Sequence, residues 1–218
     1  MTTVGIASIP SRKDMLEKVL DSLCHQVDYI YLVLNYGETE PPIYLRKYDN
    51  LSWWLADNSR GDAEKFAMAE WTHGYYLTLD DDLVVPRGYV QKMTEGVERY
   101  NGLVSLHGRT YLKPVTSFTR WAGNYRCLGR VSDDVKVNLI GSGCCAFHTD
   151  RLDVTMSDFK LPNMADLWLS KMATEQGVPM VVLAHERDYL TYLNPTETIW
   201  RNTKNFSVHT EILKSFIK

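Results

Sequence analysis

The 218-residue chain is expected to fold as one α/β domain with a mainly parallel central sheet flanked by helices. Three observations predict this. Short β-branched and aromatic runs alternate with segments of helical periodicity, the pattern of successive βαβ units. Several of those runs are apolar without alternation, as strands covered on both faces must be. The composition, 44% hydrophobic and 23% charged with 13 Gly and 8 Pro, supports a packed core and excludes disordered, collagenous and low-complexity classes.

The elements follow in order. Val4 and Ile6 lie in a short buried strand that Pro10 ends, and Ser11 with Asp14 suits the start of a helix from Arg12 to His25, where Met15, Val19, Leu20 and Leu23 share a face. Tyr29 to Asn35 reads as the second strand, stopped by Gly37 and Pro41-Pro42, and Leu51 to Ala56 as the third. Ala63, Phe66 and Ala67 predict a helix over Asp62 to Thr72, released by Gly74 into a fourth strand, Tyr75 to Asp80. Pro86 to Tyr100 reads as a helix with proline in its first turn, and Leu103 to His107 as a strand. After a loop-rich basic stretch come strands at Val135 to Ile140 and Cys144 to His148, a helix from Asn163 to Gln176, a strand from Pro179 to Ala184, and a closing helix within Ile199 to Lys218.

No apolar run approaches the roughly 18 residues of a membrane span, and the first residues lack the basic region and cleavage site of a signal peptide, so a cytoplasmic protein is expected. The four cysteines, Cys24, Cys127, Cys144 and Cys145, show no Cys-x-x-Cys spacing and read as structural thiols. The net charge of −3 hides an asymmetry. Ser105 to Ser132 holds five cations and no carboxylate, so that stretch is +5 and the remainder −8.

In parallel sheets ligands bind beyond the carboxyl ends of the strands, so the polar residues there are the first to inspect: Ser8 to Arg12, Asn35, Asp57 to Asp62, and Asp80-Asp81-Asp82. Three consecutive carboxylates repel one another unless a cation or water separates them. In an extended segment residues i and i+2 point the same way, so Asp80 and Asp82 can converge on one Mg²⁺ or Mn²⁺, whose other positions go to water and substrate phosphates. The bland alternative is an acidic loop in water.

This order of motifs resembles GT-A-type glycosyltransferases, closest to glycosyltransferase family two, over nearly the whole chain. The carrying residues are Ser8-Ile9-Pro10-Ser11-Arg12, Asn35, Asp57, Arg60-Gly61-Asp62-Ala63-Glu64-Lys65, the Asp-x-Asp at Asp80 to Asp82, GSGCCAFHTDRL and NMADLWLSKM. The resemblance implies a single GT-A (Rossmann-like) domain over 1–218, with residues 1–100 as the nucleotide-sugar and metal half and 101–218 as the acceptor half. It implies donor-nucleotide contacts at Ser8, Pro10, Arg12, Asn35, Asp57, Arg60, Asp62, Lys65 and Asp81. A divalent cation would sit at Asp80 and Asp82, with His185 at a strand end as a third ligand. Asp166 would be the general base of an inverting transfer from a nucleoside-diphosphate sugar, expected to be a UDP-sugar. Ala165 stands where the family commonly has a second acidic residue. The chemistry stands apart from the name: the acceptor hydroxyl must lose a proton as it attacks the anomeric carbon, and the leaving diphosphate gains charge.

Between metal motif and base, Arg109, Lys113, Arg120, Arg126 and Arg130 interleave with Tyr111, Phe118, Trp121 and Tyr125. Arg109, Lys113, Arg120, Trp121, Tyr125 and Arg126 are the acceptor-binding candidates, unless the rings only fill the core of a solvated loop. A saccharide or lipid-linked saccharide acceptor is expected, with a modified base in DNA as the rival that a cationic, aromatic surface would suit. A retaining mechanism, a nucleotidyltransferase and an inactive sugar-nucleotide-binding protein stay open. A nucleotidyltransferase normally opens with a Gly-rich phosphate loop, which GIASIPSRKD lacks.

Overall fold

The computed structural model describes residues 1–37, 39–196 and 198–217. The first half builds β1 (Thr2–Ser8), α1 (Lys13–Leu23), β2 (Tyr29–Leu34), β3 (Leu51–Leu55), β4 (Tyr75–Leu79), β5 (Leu83–Val84) and α2 (Tyr89–Tyr100). The second builds β6 (Leu103–Ser105), β7 (Gly108–Thr110), β8 (Gly123–Tyr125), β9 (Val135–Lys136), β10 (Leu139–Ile140), β11 (Cys144–His148), α3 (Ala165–Glu175), β12 (Met180–Val182), β13 (Thr191–Tyr192), α4 (Ile199–Asn202) and α5 (Ser207–Phe216).

The central sheet has eight strands in the order β3-β2-β1-β4-β11-β6-β12-β9. All but β11 and β9 run in one direction, which makes this the mostly parallel α/β sheet that the alternating pattern predicts. Side chains alternate across it: Leu77 and Leu79 of β4 and Cys144 and Ala146 of β11 pack with α1 and α2 on one face, while Tyr76, Cys145 and Phe147 pack with α3 on the other. A third cluster joins Leu167 of α3 to Leu213 and Phe216 of α5 and to Tyr111 and Phe118 of the basic stretch.

Three readings change. The helix expected over Asp62 to Thr72 is two 3₁₀ turns, Gly61–Phe66 and Ala69–Trp71. The Tyr76 hydroxyl donates to the Lys65 carbonyl at 2.9 Å, which draws that carbonyl out of an α-helical ladder. Gly5 of β1 makes this possible, because a Cβ there would lie 1.8 Å from the same oxygen. The Val135 to Ile140 run is two strands in different sheets; after β9 the Asn138 amide donates to the Arg109 carbonyl and carries the chain into the β10-β7-β8 sheet. Gly88, at φ 81°, separates Pro86 from α2. The closing helix expected within Ile199 to Lys218 is α5, preceded by the short α4, and Lys218 lies outside the described residues.

Candidate active site

The carboxyl ends of β1, β2 and β4 open on one side of the sheet, and the start of α3 meets them there. Just after β4, Asp80 donates its amide to the Gly143 carbonyl at 2.8 Å, which fixes the acidic run against the turn before β11. Two cations face the three carboxylates. Lys65 Nζ lies 2.6 Å from Asp80 Oδ1, with its side chain only 3% exposed. Arg12 Nη1 lies 2.5 Å from Asp81 Oδ1 and 3.3 Å from Asp82 Oδ2. Lys65, expected near a base or phosphate, is therefore held at the centre of the acidic cluster. Burial lowers its proton affinity, but Asp80 and Asp62 outweigh that, and the ammonium is held above its ordinary value.

The carboxylates respond differently to this setting. Burial pushes Asp80 up, yet Lys65 and Arg12 more than offset it, so its carboxyl stays below the usual value. Asp82 is pushed up to about 7 by burial and by the neighbouring charges of Asp80 and Asp81. Asp62 is raised to about 6, chiefly by burial, against the pull of Lys65. Its Oδ2 accepts from the Ala165 amide at 3.3 Å, tying the loop after β3 to the first turn of α3, while its Oδ1 is buried with no partner among the described residues. Asn35 repeats this at the end of β2: its Nδ2 donates to the Gly61 carbonyl at 3.3 Å and its Oδ1 is buried without a partner. Ser8 is buried next to Asp81, and Pro10 opens the turn that delivers Arg12. Asp57 and Arg60 are exposed, Asp57 accepting from the Ser59 amide at 2.9 Å.

Asp166 comes from the other side. Its Oδ1 accepts from both the amide and the hydroxyl of Ser142, each at 2.7 Å, and its Oδ2 has no hydrogen bond among the described residues. The turn that holds it is rigid: the Ser142 carbonyl accepts from Thr78 Oγ1 at 2.5 Å, and the Asp166 carbonyl accepts from Ser170 Oγ at 2.6 Å. A Cβ on Gly143 would lie 2.2 Å from Asp80 Oδ2, so only glycine lets the Asp80 carboxylate sit this close to the turn.

Two candidates are corrected. His185 turns both ring nitrogens to backbone carbonyls, Leu183 O at 2.7 Å and Arg126 O at 3.2 Å, so in this arrangement neither is turned toward Asp80 or Asp82. Lys113 lies by the start of β12, at the opposite end of the strands, lining a cavity of about 320 Å³ with Lys136, Met180 and Phe216. The rest of the basic stretch divides. Arg109 is buried between the rings of Phe118 and Trp121, at 5.2 and 5.1 Å, so its cation is part of a stack, not an open anion site. Arg130 pairs with Glu186 at 3.4 Å. Arg120 and Arg126 are exposed and Tyr125 half-buried, and the charge of Arg126 is felt at His107. His107, absent from the sequence candidates, is half-buried among Arg109, Asp166 and Asp80, and burial with Arg109 pushes it down to about 4. Its signal was its place at the end of a strand-like run, LVSLH.

Whether a divalent cation fits can be judged from the donor set. Asp80 and Asp82 supply hard oxygens, and Asp82 is raised first by burial and then by the charges of Asp80 and Asp81, against the opposing pull of Arg12 and Lys65. Among the described residues no three His, Cys, Asp or Glu side chains converge as a metal-holding group. Two carboxylates with the remaining positions left to water and phosphate is the usual arrangement for Mg²⁺, so the residues fit.

No family model and no curated protein matches the chain. Solved structures do. S. aureus TarS 1–349 in complex with UDP-GlcNAc superposes with a TM-score of 0.57 at 12% identity, covering 100% of this chain and 72% of that one. The longer S. aureus TarS structure gives 0.56 at 12% identity, covering 100% and 43%, and TarS 1–349 alone gives 0.54 at 15%, covering 100% and 71%. No helix among the described residues is long and apolar enough to cross a membrane. The chain has the α/β fold of TarS, spanning all of its own length.

Proposed function

We propose that this protein is a glycosyltransferase that moves a sugar from a nucleoside diphosphate, most simply UDP, to an acceptor hydroxyl with inversion, in the manner of the family-two enzymes its motifs resemble. One observation carries the reading: consecutive residues of one turn hold both carboxylates, Ser142 fixing one oxygen of Asp166 and Gly143 lying against Asp80 at the start of the acidic run, while the other Asp166 oxygen has no hydrogen bond among the described residues. The glycosyltransferase TarS, crystallised with UDP-GlcNAc, has the same fold and supports a nucleotide-sugar donor. Asn35 Oδ1 and Asp62 Oδ1 are buried acceptors in need of donors, which the N–H of a pyrimidine and the hydroxyls of ribose would supply.

Asp80 and Asp82 would hold a Mn²⁺ or Mg²⁺ ion, which when bound supplies Lewis-acid stabilisation to the departing diphosphate. Asp166 takes the proton from the acceptor hydroxyl at Oδ2, and the two Ser142 donors keep its carboxylate oriented for that transfer. The half-buried rings of Trp121 and Tyr125 and the exposed Arg120 and Arg126 are the residues of the basic stretch that would meet a saccharide acceptor. The removal of Lys113 from the cleft, the stacking of Arg109 and the pairing of Arg130 favour a saccharide over a DNA duplex, since few cations are left to meet phosphates.

Calorimetry with UDP and Mn²⁺ tests the donor half. Binding should depend on the metal and disappear in the Asp80→Ala, Asp82→Ala double variant; undiminished metal-free binding would refute the cation site. For Asp166→Asn, UDP affinity should persist while sugar release from a panel of UDP-sugars falls by about 10²–10⁴. Normal turnover would remove Asp166 as base.

A further inference from the structure

We propose that His107 is a substrate-contacting residue of this site, its imidazole hydrogen-bonding a hydroxyl of the sugar in transit. The inference rests on the glycosyl-transfer reading above and adds to it a residue that neither the motifs nor the resemblance picked out.

Three consecutive residues bring the functional side chains together. Gly141, Ser142 and Gly143 form the turn before β11, and each touches a different functional side chain. A Cβ on Gly141 would lie 2.7 Å from His107 Cβ and 2.8 Å from its ring Cδ2. Ser142 holds Asp166 through its amide and hydroxyl. Gly143 packs against Asp80. The turn thus sets His107, Asp166 and Asp80 around one short stretch of backbone.

That backbone is fully tied down near the histidine. The Gly141 amide donates to the His107 carbonyl at 2.8 Å, and the His107 amide donates to Ser105 Oγ at 3.1 Å. Ser105 Oγ in turn donates to the Gly141 carbonyl at 2.8 Å. The ring is treated differently. Neither imidazole nitrogen has a hydrogen bond to any described residue, although the side chain is only half-exposed and lies among Asp80, Asp166 and Arg109. Neither ring nitrogen is among the buried polar atoms that lack a partner, so the ring reaches solvent on the side of the acidic cluster and is free to meet a ligand there.

Location says which partner. In the proposed reaction the diphosphate leaves on the Asp80 side and the acceptor loses its proton on the Asp166 side. The anomeric carbon must lie between them, so the sugar it belongs to is what a ring in the electrostatic reach of both carboxylates would face. An imidazole can donate to or accept from a sugar hydroxyl.

The test compares wild type with His107→Phe, which keeps a ring against Gly141 but has no nitrogen, and His107→Gln, which restores a polar group. Turnover of UDP-GlcNAc, UDP-glucose and UDP-galactose is measured with Mn²⁺, alongside UDP binding by calorimetry and thermal melting. The expected result is a loss in kcat/KM of about tenfold in His107→Phe, partial recovery in His107→Gln, and UDP affinity within about twofold of wild type in both. A merely structural role would lower melting temperature and UDP affinity together with turnover, and that outcome overturns the proposal. So does wild-type kcat/KM in His107→Phe. If wild type itself turns over none of the three donors, the UDP-sugar reading fails and this inference with it; activity in wild type with no effect of the variants sinks the inference alone.

Discussion

Replacing Asp62 by Asn should stabilise the protein at alkaline pH, and the structure allows the size and pH window of the effect to be worked out. Asp62 has its Oδ1 buried without a partner and a carboxyl raised from 3.8 to about 6, chiefly by burial. A carboxyl raised on folding favours the folded state while it is protonated. That contribution is fully present below the unfolded value and lost as pH climbs through the folded one. A shift of about 2 units corresponds to about 3 kcal/mol of stability lost by the wild type between roughly pH 4 and pH 7. Asn carries no charge and escapes the loss. Urea denaturation of Asp62→Asn and wild type, both in EDTA, should therefore show near-equal stability at pH 4 and a gain for the variant of about 1–3 kcal/mol at pH 8. Equal stability at pH 8, or a difference that does not change with pH, would refute the reasoning. The same variant should bind UDP more weakly, because a carboxylate kept at such a cost is expected to serve the ligand.

Gly143→Ala tests the contact between the turn and the acidic motif: its Cβ would lie 2.2 Å from Asp80 Oδ2, so the carboxylate must move. Because the Asp80 side chain is 42% exposed, stability should change little while Mn²⁺-dependent UDP affinity falls by about tenfold or more; calorimetry giving wild-type affinity would show the contact to be irrelevant. Arg109→Lys keeps the charge but loses the planar group between Phe118 and Trp121. It should cost about 1–2 kcal/mol in urea denaturation, and an unchanged midpoint would mean that the stack contributes nothing.

What could be read along the chain follows from the range of the forces involved. Tyr29 to Leu34, Tyr75 to Leu79 and Cys144 to His148 are legible because burial on both faces demands uninterrupted apolar residues, and strand ends in such a sheet are where polar residues become functional. Asp80 to Asp82 and Asp166 were visible as residues for the same reason. Their partners were not. Lys65 meets Asp80 only because Gly5 admits the 3₁₀ turn and Tyr76 pulls on its carbonyl, two contacts made by residues on other elements. Helical spacing at Ala63 and Phe66 therefore misled. In the basic stretch, charge counting saw five equivalent cations. The fold sorts them by backbone pairing: β7 takes Arg109 inward between rings, the following loop takes Lys113 to the far end of β12, and Glu186 meets Arg130. The carbonyls that meet the His185 ring come from Leu183, two residues away, and from Arg126, far along the chain, contacts that a place at a strand end does not reveal.

The charge balance at the strand ends bears on how a donor could bind at all. Asp62, Asp80, Asp81, Asp82 and Asp166 share the site with Arg12 and Lys65, and those two cations are already paired with the triple-aspartate run. A nucleoside diphosphate approaching the same place brings further negative charge into a region where the last carboxyl, Asp82, is raised to about 7 by burial and by its neighbours. At such short range in a partly buried setting, repulsion between like charges is screened weakly by salt. A diphosphate can bind there only if more positive charge comes with it or if carboxyls take up protons. A divalent cation held by Asp80 and Asp82 would meet the first condition, and its charge would lower the proton affinity of Asp82. Linkage then requires that UDP with Mn²⁺ releases protons on binding near pH 7, where Asp82 is half-protonated in their absence. Calorimetry in two buffers of different ionisation enthalpy measures that release. An observed heat that is the same in both would mean that Asp82 does not change protonation on binding, and would remove this account of why three carboxylates are kept at the end of β4.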